Sequence, residues 1–172
     1  MSAIFSPCGL YRYRLEREVQ PDGIVAALIG VNPSIANETV NDQTIRKDIG
    51  FAERLGWRRL VKGNVFGYVS TKVGGLAGIE DPVGPGNAMH LDTIIADADI
   101  IIPCWGSRRK IPKKLHKHLD ALALRLVAAS AAGKPVFCFG RTVTGDPTHP
   151  LMLGYDTQLV PFAGGSPEGG GA

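Results

Sequence analysis

The chain has 172 residues, 44% of them hydrophobic and 20% charged, with a net charge of +3. That length fits one domain with a sizeable core, and the composition excludes a disordered or fibrous chain. No apolar run approaches the length of a membrane-spanning helix, so no membrane partner is expected.

Met1–Pro7 lacks the basic start and long apolar stretch of a secretory leader, so a cytoplasmic location is expected. Tyr11–Val19 alternates large and charged residues and predicts an edge strand or hairpin arm, closed by the turn Gln20-Pro-Asp-Gly23. Ile24–Val31 is apolar throughout, as in a strand buried on both faces of a parallel sheet. Asn41-Asp42 read as the cap of a helix running to Leu55, with Ile45, Ile49, Ala52 and Leu55 on one stripe and Gly56 as its stop. Leu60–Val69 predicts a second strand, interrupted by Gly63-Asn64, and the Gly- and Pro-rich stretch Thr71–Gly86 predicts loop.

Ala88–Ala98 reads as a helix and Ile100–Ile102 as a third strand, leading into Pro103-Cys-Trp105-Gly106. Lys113–Ala132 carries Leu115, Leu119, Leu122, Leu126 and Ala129 at helical spacing, and Gly133-Lys-Pro135 breaks it. Val136–Phe139 makes a fourth strand, ending in Gly140. Strands alternating with helices predict an α/β domain over residues 1–163: three α/β/α layers around a mostly parallel central sheet of about four strands, plus an N-terminal edge strand or hairpin. Residues 164–172 read as a flexible Gly-rich tail. No internal repeat or second domain is visible.

In open α/β sheets, ligands bind beyond the carboxyl ends of the strands. Four polar turns stand at such ends: Gly30-Val-Asn32-Pro-Ser34, Gly63-Asn64-Val-Phe66, Trp105-Gly106-Ser107 and Asp146-Pro-Thr-His149-Pro-Leu151. Taken singly, each is ordinary turn punctuation. Taken together, they place Asn32, Asn64, Trp105 and His149 where one pocket would collect them. Two carboxamides read a base edge, an aromatic ring stacks on a base, and a histidine stabilises an oxyanion.

Arg108-Arg109-Lys110 and Lys113-Lys114-Leu-His116-Lys117-His118 concentrate six basic side chains and two histidines with no acid among them. Such a run suits a polyanion, or else is the solvated start of a helix. Other chemistries lack support. There is no P-loop and no Gly-x-Gly-x-x-Gly after a strand. Ser34 and Ser107 lack the context of a nucleophile elbow. Cys8, Cys104 and Cys138 form no Cys-x-x-Cys pair, and Cys104 reads as a packed thiol at a strand end. His116 and His118, two residues apart, do not share a helix face as metal ligands would.

The order of these turns resembles the uracil-DNA glycosylase superfamily. Gly30-Val-Asn32-Pro33 is similar to the early turn of its mismatch-specific uracil/thymine branch, and Trp105-Gly106 and His149-Pro150 to its classical uracil branch. The chain also resembles a bacterial family of unknown function marked by Asn32-Pro-Ser34, Asp42-Gln-Thr44, Asn64-Val-Phe66 and Pro147-Thr-His149-Pro-Leu151. That likeness covers nearly the whole chain and carries no activity with it.

The glycosylase resemblance implies a uracil-DNA-glycosylase-like fold and a set of roles. Asn32 would orient the attacking water, Asn64 would hydrogen-bond the extruded base, and His149 would stabilise charge on the departing base. Phe66 or Trp105 would stack on the base, with Phe51 a third choice. Leu151, with Met152, would wedge into the vacated base stack. Arg108, Arg109, Lys110, Lys113 and Lys114 would grip phosphates. No metal and no organic cofactor is implied.

The pattern departs from the classical branch, where an aspartate stands at the position of Asn32 and a serine at that of Leu151. Asp42 is read two ways, as a helix cap or as the general base. The expected partner is nucleic acid, DNA first, or a nucleotide-like ligand. Two alternatives stand beside base excision: a hydrolase of free nucleosides or nucleotides, and a non-catalytic nucleic-acid-binding module.

Overall fold

The structure is a computed structural model that describes residues 1–162. The tail expected over 164–172 lies outside the described residues. Strands β1 (Ser2–Phe5), β2 (Arg12–Glu18), β3 (Ile24–Gly30), β4 (Trp57–Asn64) and β5 (Ile100–Pro103) form one sheet in the order β1-β2-β4-β3-β5. Strands β6 (Phe137–Cys138) and β7 (Val160–Pro161) form a second, two-stranded sheet.

The expectation of a mostly parallel, glycosylase-type central sheet is overturned. β1–β2, β2–β4 and β6–β7 pair antiparallel, while β3–β4 and β3–β5 pair parallel. Two causes account for the difference. The N-terminal arm lies inside the sheet, because β2 pairs on both sides, with β1 and β4. The expected fourth strand is only two residues long, meets the main sheet at the single bridge Ile101–Val136, and pairs with β7 instead. Pro135 lacks the amide that would prolong a ladder, and Gly140, at φ 101°, turns the chain away.

Helix α1 (Gln43–Leu55) starts where Asp42 accepts the Ile45 N–H and stops at Gly56, whose φ of 71° suits a residue without a β-carbon. It packs on one sheet face, where Ala26, Leu28, Leu60 and Ile102 meet Phe51 and Ala52. Helices α2 (Asn87–Asp97) and α3 (His116–Ala131) pack on the other, where Ala27, Ile29, Val61 and Ile101 meet Leu91, Ile94, Leu119 and Leu126. The alternation of β3 therefore feeds two separate cores, which is why its sequence is apolar without interruption. No helix among the described residues is long and apolar enough to cross a membrane.

Candidate functional site

Beyond the ends of β3 and β5 lies a cleft of about 990 Å³, within the range of small-ligand sites. Of the residues singled out in the sequence, Asn32, Asp42, Trp105, Lys110, His149 and Leu151 line it. Asn64, Phe66, Arg108, Arg109, Lys113 and Lys114 do not line it.

Asn32 follows β3 by two residues. Its side-chain amide donates to the carbonyls of Pro33 at 3.0 Å and Ser70 at 2.7 Å. The Ser70 N–H returns to the Pro33 carbonyl, so the two loops brace one another. With both amide hydrogens engaged, Oδ1 is left as an acceptor at the cleft wall.

His149 comes from the loop after β6 and is half-buried. Its Nδ1 accepts the Leu151 backbone N–H at 3.2 Å. A neutral imidazole accepting at Nδ1 must carry its proton on Nε2, so the ring is a fixed donor. Burial pushes its pKa down to about 4, helped by the charges of Lys62 and Lys110 and opposed by Asp42. At neutral pH the ring is therefore uncharged.

Asp42 Oδ1 caps α1 by accepting the Ile45 N–H at 2.9 Å, and the residue also lines the cleft. Trp105 is only 4% exposed, and its indole N–H has no hydrogen-bond partner among the described residues. Its ring meets Phe162 edge-on, so it borders the cleft more than it offers a stacking face.

Asn64 and Phe66 are held back by the register of β3 and β4. Asn64 stands opposite Gly30, where a β-carbon would lie 2.9 Å from Asn64 Oδ1. Its side chain is thus tucked beside the strand end and buried. Phe66 donates its N–H to the Val31 carbonyl, and its ring is fully buried in the core, edge-on to His118. Neither faces an incoming ligand.

The basic run is partly committed within the chain. Arg108 donates from its backbone N–H and Nε to Asp146, at 2.8 and 2.9 Å, and from a terminal nitrogen to Asp120 at 3.0 Å. Lys114 donates to the Ala77 carbonyl. The His116 ring reaches the Arg108 and Ile111 carbonyls and braces the turn. Asp146 is buried and also accepts from Thr144 Oγ1, so it ties the basic turn to the loop that carries His149. Leu151 lies at the cleft edge and Met152 is 91% exposed.

Sequence reasoning missed a buried polar group below the cleft. Lys62 Nζ lies 2.8 Å from Asp48 Oδ2 and 3.6 Å from Cys104 Sγ. Both signals were present in the sequence. Lys62 shares the β4 face of buried Leu60, and Asp48 lies three residues after buried Ile45 on α1. Burial raises the Asp48 pKa and pushes Cys104 up to about 11, while Asp48 holds Lys62 charged against its own burial. Cys104 is therefore a thiol rather than a nucleophilic thiolate. No group of three or more metal-ligating side chains occurs among the described residues.

No match was found among curated proteins or among solved structures. A family model described as "Protein of unknown function (DUF1643)" matches residues 12–151, from the start of β2 to the cleft-lining Leu151. Covering most of the chain, this match makes the protein a member of the DUF1643 family.

Proposed function

We propose that the cleft receives a nucleobase, presented from nucleic acid, and hydrolyses its N-glycosidic bond. One observation carries the reading: a single cleft holds an acceptor fixed by backbone contacts, Asn32 Oδ1, and a neutral donor fixed in the same way, His149 Nε2. Hydrolysis of a glycosidic bond needs both. Water is oriented by an acceptor and attacks the sugar carbon, while a donor meets the charge that develops on the departing base. A neutral imidazole suits the second task, because it donates without first having to be protonated.

The order of Gly30-Val-Asn32-Pro33, Trp105-Gly106 and His149-Pro150, which resembles uracil-DNA glycosylases, supports the same reaction class. Asp42, through the oxygen not used in capping, is a second candidate for holding the water. Leu151 and exposed Met152 at the rim suit a wedge into stacked bases. Lys110 at the cleft, flanked by Arg109 and Lys113, suits phosphate contacts.

The test is a glycosylase assay on single- and double-stranded oligonucleotides carrying uracil, mismatched thymine or modified pyrimidines, read as alkali-labile abasic sites. Product from wild type, lost in Asn32→Ala and His149→Ala, is the expected outcome. No product from any substrate would overturn the reading.

A second reading, hydrolysis of a free nucleoside or nucleotide, is favoured by the internal commitments of Arg108 and Lys114, which leave fewer cations for a nucleic-acid backbone. Release of free base from nucleosides, with no affinity for oligonucleotides, would establish it.

A further inference from the structure

One wall of the cleft carries a chain of hydroxyls that the reaction as described does not use. Ser107 and Thr142 line the cleft, and Thr144 between them does not. Ser107 Oγ lies 3.0 Å from Thr144 Oγ1, and Thr142 Oγ1 lies 2.9 Å from the same oxygen. Thr144 in turn donates to Asp146 Oδ2 at 2.6 Å. Asp146 is 3% exposed and also accepts the backbone N–H and Nε of Arg108.

The chain has a fixed direction. A carboxylate has no hydrogen to give, so the single hydrogen of Thr144 goes to Asp146. Thr144 is left with two lone pairs, and Ser107 and Thr142 each donate to one of them. Their hydrogens point back into the wall, and their remaining lone pairs face the other way, toward the cleft. Among the described residues no further group bonds to Thr142 Oγ1, and Ser107 Oγ accepts only the Arg109 N–H, at 3.3 Å. Bracing the loop does not call for these hydroxyls, because backbone bonds already close it. Thr142 donates its N–H to the Asp146 carbonyl at 2.8 Å, and Thr148 donates to the Gly140 carbonyl at 3.0 Å.

Two hydroxyls that can only accept select a ligand that donates twice. Oxygens bonded to one roughly tetrahedral oxygen stand about 5 Å apart. A vicinal diol, which sends two hydroxyl hydrogens outward from adjacent carbons, fits that spacing. We propose that Ser107 and Thr142 form a subsite for the 2′,3′-diol of a ribonucleoside or its 5′-phosphate. Ser107 follows Gly106, where a β-carbon would lie 3.3 Å from His149 Cβ, so the sugar subsite adjoins the ring assigned to the base. This ligand class rests on the second reading above, a free nucleoside or nucleotide. Inside a strand the 3′ oxygen is esterified and has no hydrogen to donate.

The experiment is an NMR titration of the isotope-labelled full chain, following the Ser107 and Thr142 amides. The probes are the common ribonucleoside 5′-monophosphates, their 2′,3′-dideoxy counterparts and D-ribose 5-phosphate. At least one ribonucleotide should bind and shift both signals. Its dideoxy counterpart, lacking two hydrogen bonds, should bind about tenfold more weakly or worse. Thr142→Val keeps the shape and removes one acceptor, and should shrink that gap to about threefold. Ser107→Ala provides the same test if Thr142→Val does not fold. No binding by any diol-bearing probe, equal affinity for the dideoxy counterparts, or a gap unchanged in the folded variants overturns the proposal. D-ribose 5-phosphate binding as tightly as every ribonucleotide would leave the diol subsite standing and overturn the nucleobase reading of the cleft. The titration needs no turnover, so failure to release free base would overturn hydrolysis alone.

Discussion

Leu151 donates its backbone N–H to Nδ1 of His149, and that one bond sets the chemistry of the ring. It commits the proton of the neutral ring to Nε2, while burial keeps the imidazole neutral. Two consequences for pH follow. Any activity that uses His149 as a donor should hold steady on acidification through pH 6.5 and fall only near pH 4. A pH–rate profile with its acid limb near 6.5 would contradict this assignment.

The same depressed pKa makes stability depend on pH. Unfolding lets His149 take up a proton at its ordinary value, so between pH 6.5 and 4 the unfolded chain binds more protons at this site. The contribution is complete above pH 6.5 and is lost as pH falls through the window, amounting to up to about 3 kcal/mol. Urea titrations at stepped pH should show this slope in wild type and a shallower one in His149→Gln.

Asn32→Asp should be costly even though the two side chains match in shape. The amide donates to two carbonyls, and a carboxylate has no hydrogen to offer either. Facing carbonyl oxygens with negative charge should destabilise the chain by about 2 kcal/mol or more. Thermal unfolding checks the magnitude, with Asn32→Ala as the milder control.

Asp146→Ala should release the basic turn. It removes the acceptor for Arg108 and Thr144 and leaves the Arg108 N–H without a partner. A loss of about 1–2 kcal/mol is expected, from donors left without their acceptor rather than from a stranded charge, since Arg108 is partly exposed and keeps Asp120. Limited proteolysis should then cut within 107–110 before it cuts elsewhere.

Salt dependence measures how much of the basic run remains for a polyanion. With Arg108 and Lys114 engaged internally, Arg109, Lys110 and Lys113 are the remaining cations of the expected set. The slope of log affinity against log salt for duplex DNA should be no steeper than about −3, at roughly 0.9 per phosphate contact. Alanine at Lys110 should reduce it by about 1.

Much of the local structure was legible because it follows from short-range rules. Asp42 and Gly56 bracket α1 through capping chemistry that a sequence displays directly. The apolar run of β3 signalled burial on both faces, and both faces are buried. Strand direction was not legible, since the residues of β2 alternate in the same way beside a parallel or an antiparallel neighbour. The short β6 misled for a similar reason: its apolar residues fit any buried position, and only Pro135 and Gly140 hinted that the ladder would stop. In the site, the turns after β3 and β5 and the His149 loop reach a common cleft. Asn64 and Phe66 stay behind because pairing with β3 continues past Gly30, a matter of register that no motif encodes. Lys62 and Asp48 were hidden by the habit of reading charge as surface.

Asp42 joins two jobs in one carboxylate, since one oxygen secures the first turn of α1 while the residue borders the cleft. A ligand drawing on the other oxygen would shift the charge and orientation of the carboxylate that the Ile45 amide meets. Occupancy would then be felt along the helix backbone, and amide exchange at Ile45 would quicken or slow with ligand concentration. The helix start thereby becomes a built-in reporter, sensitive to an occupant whose chemical identity need not be known beforehand.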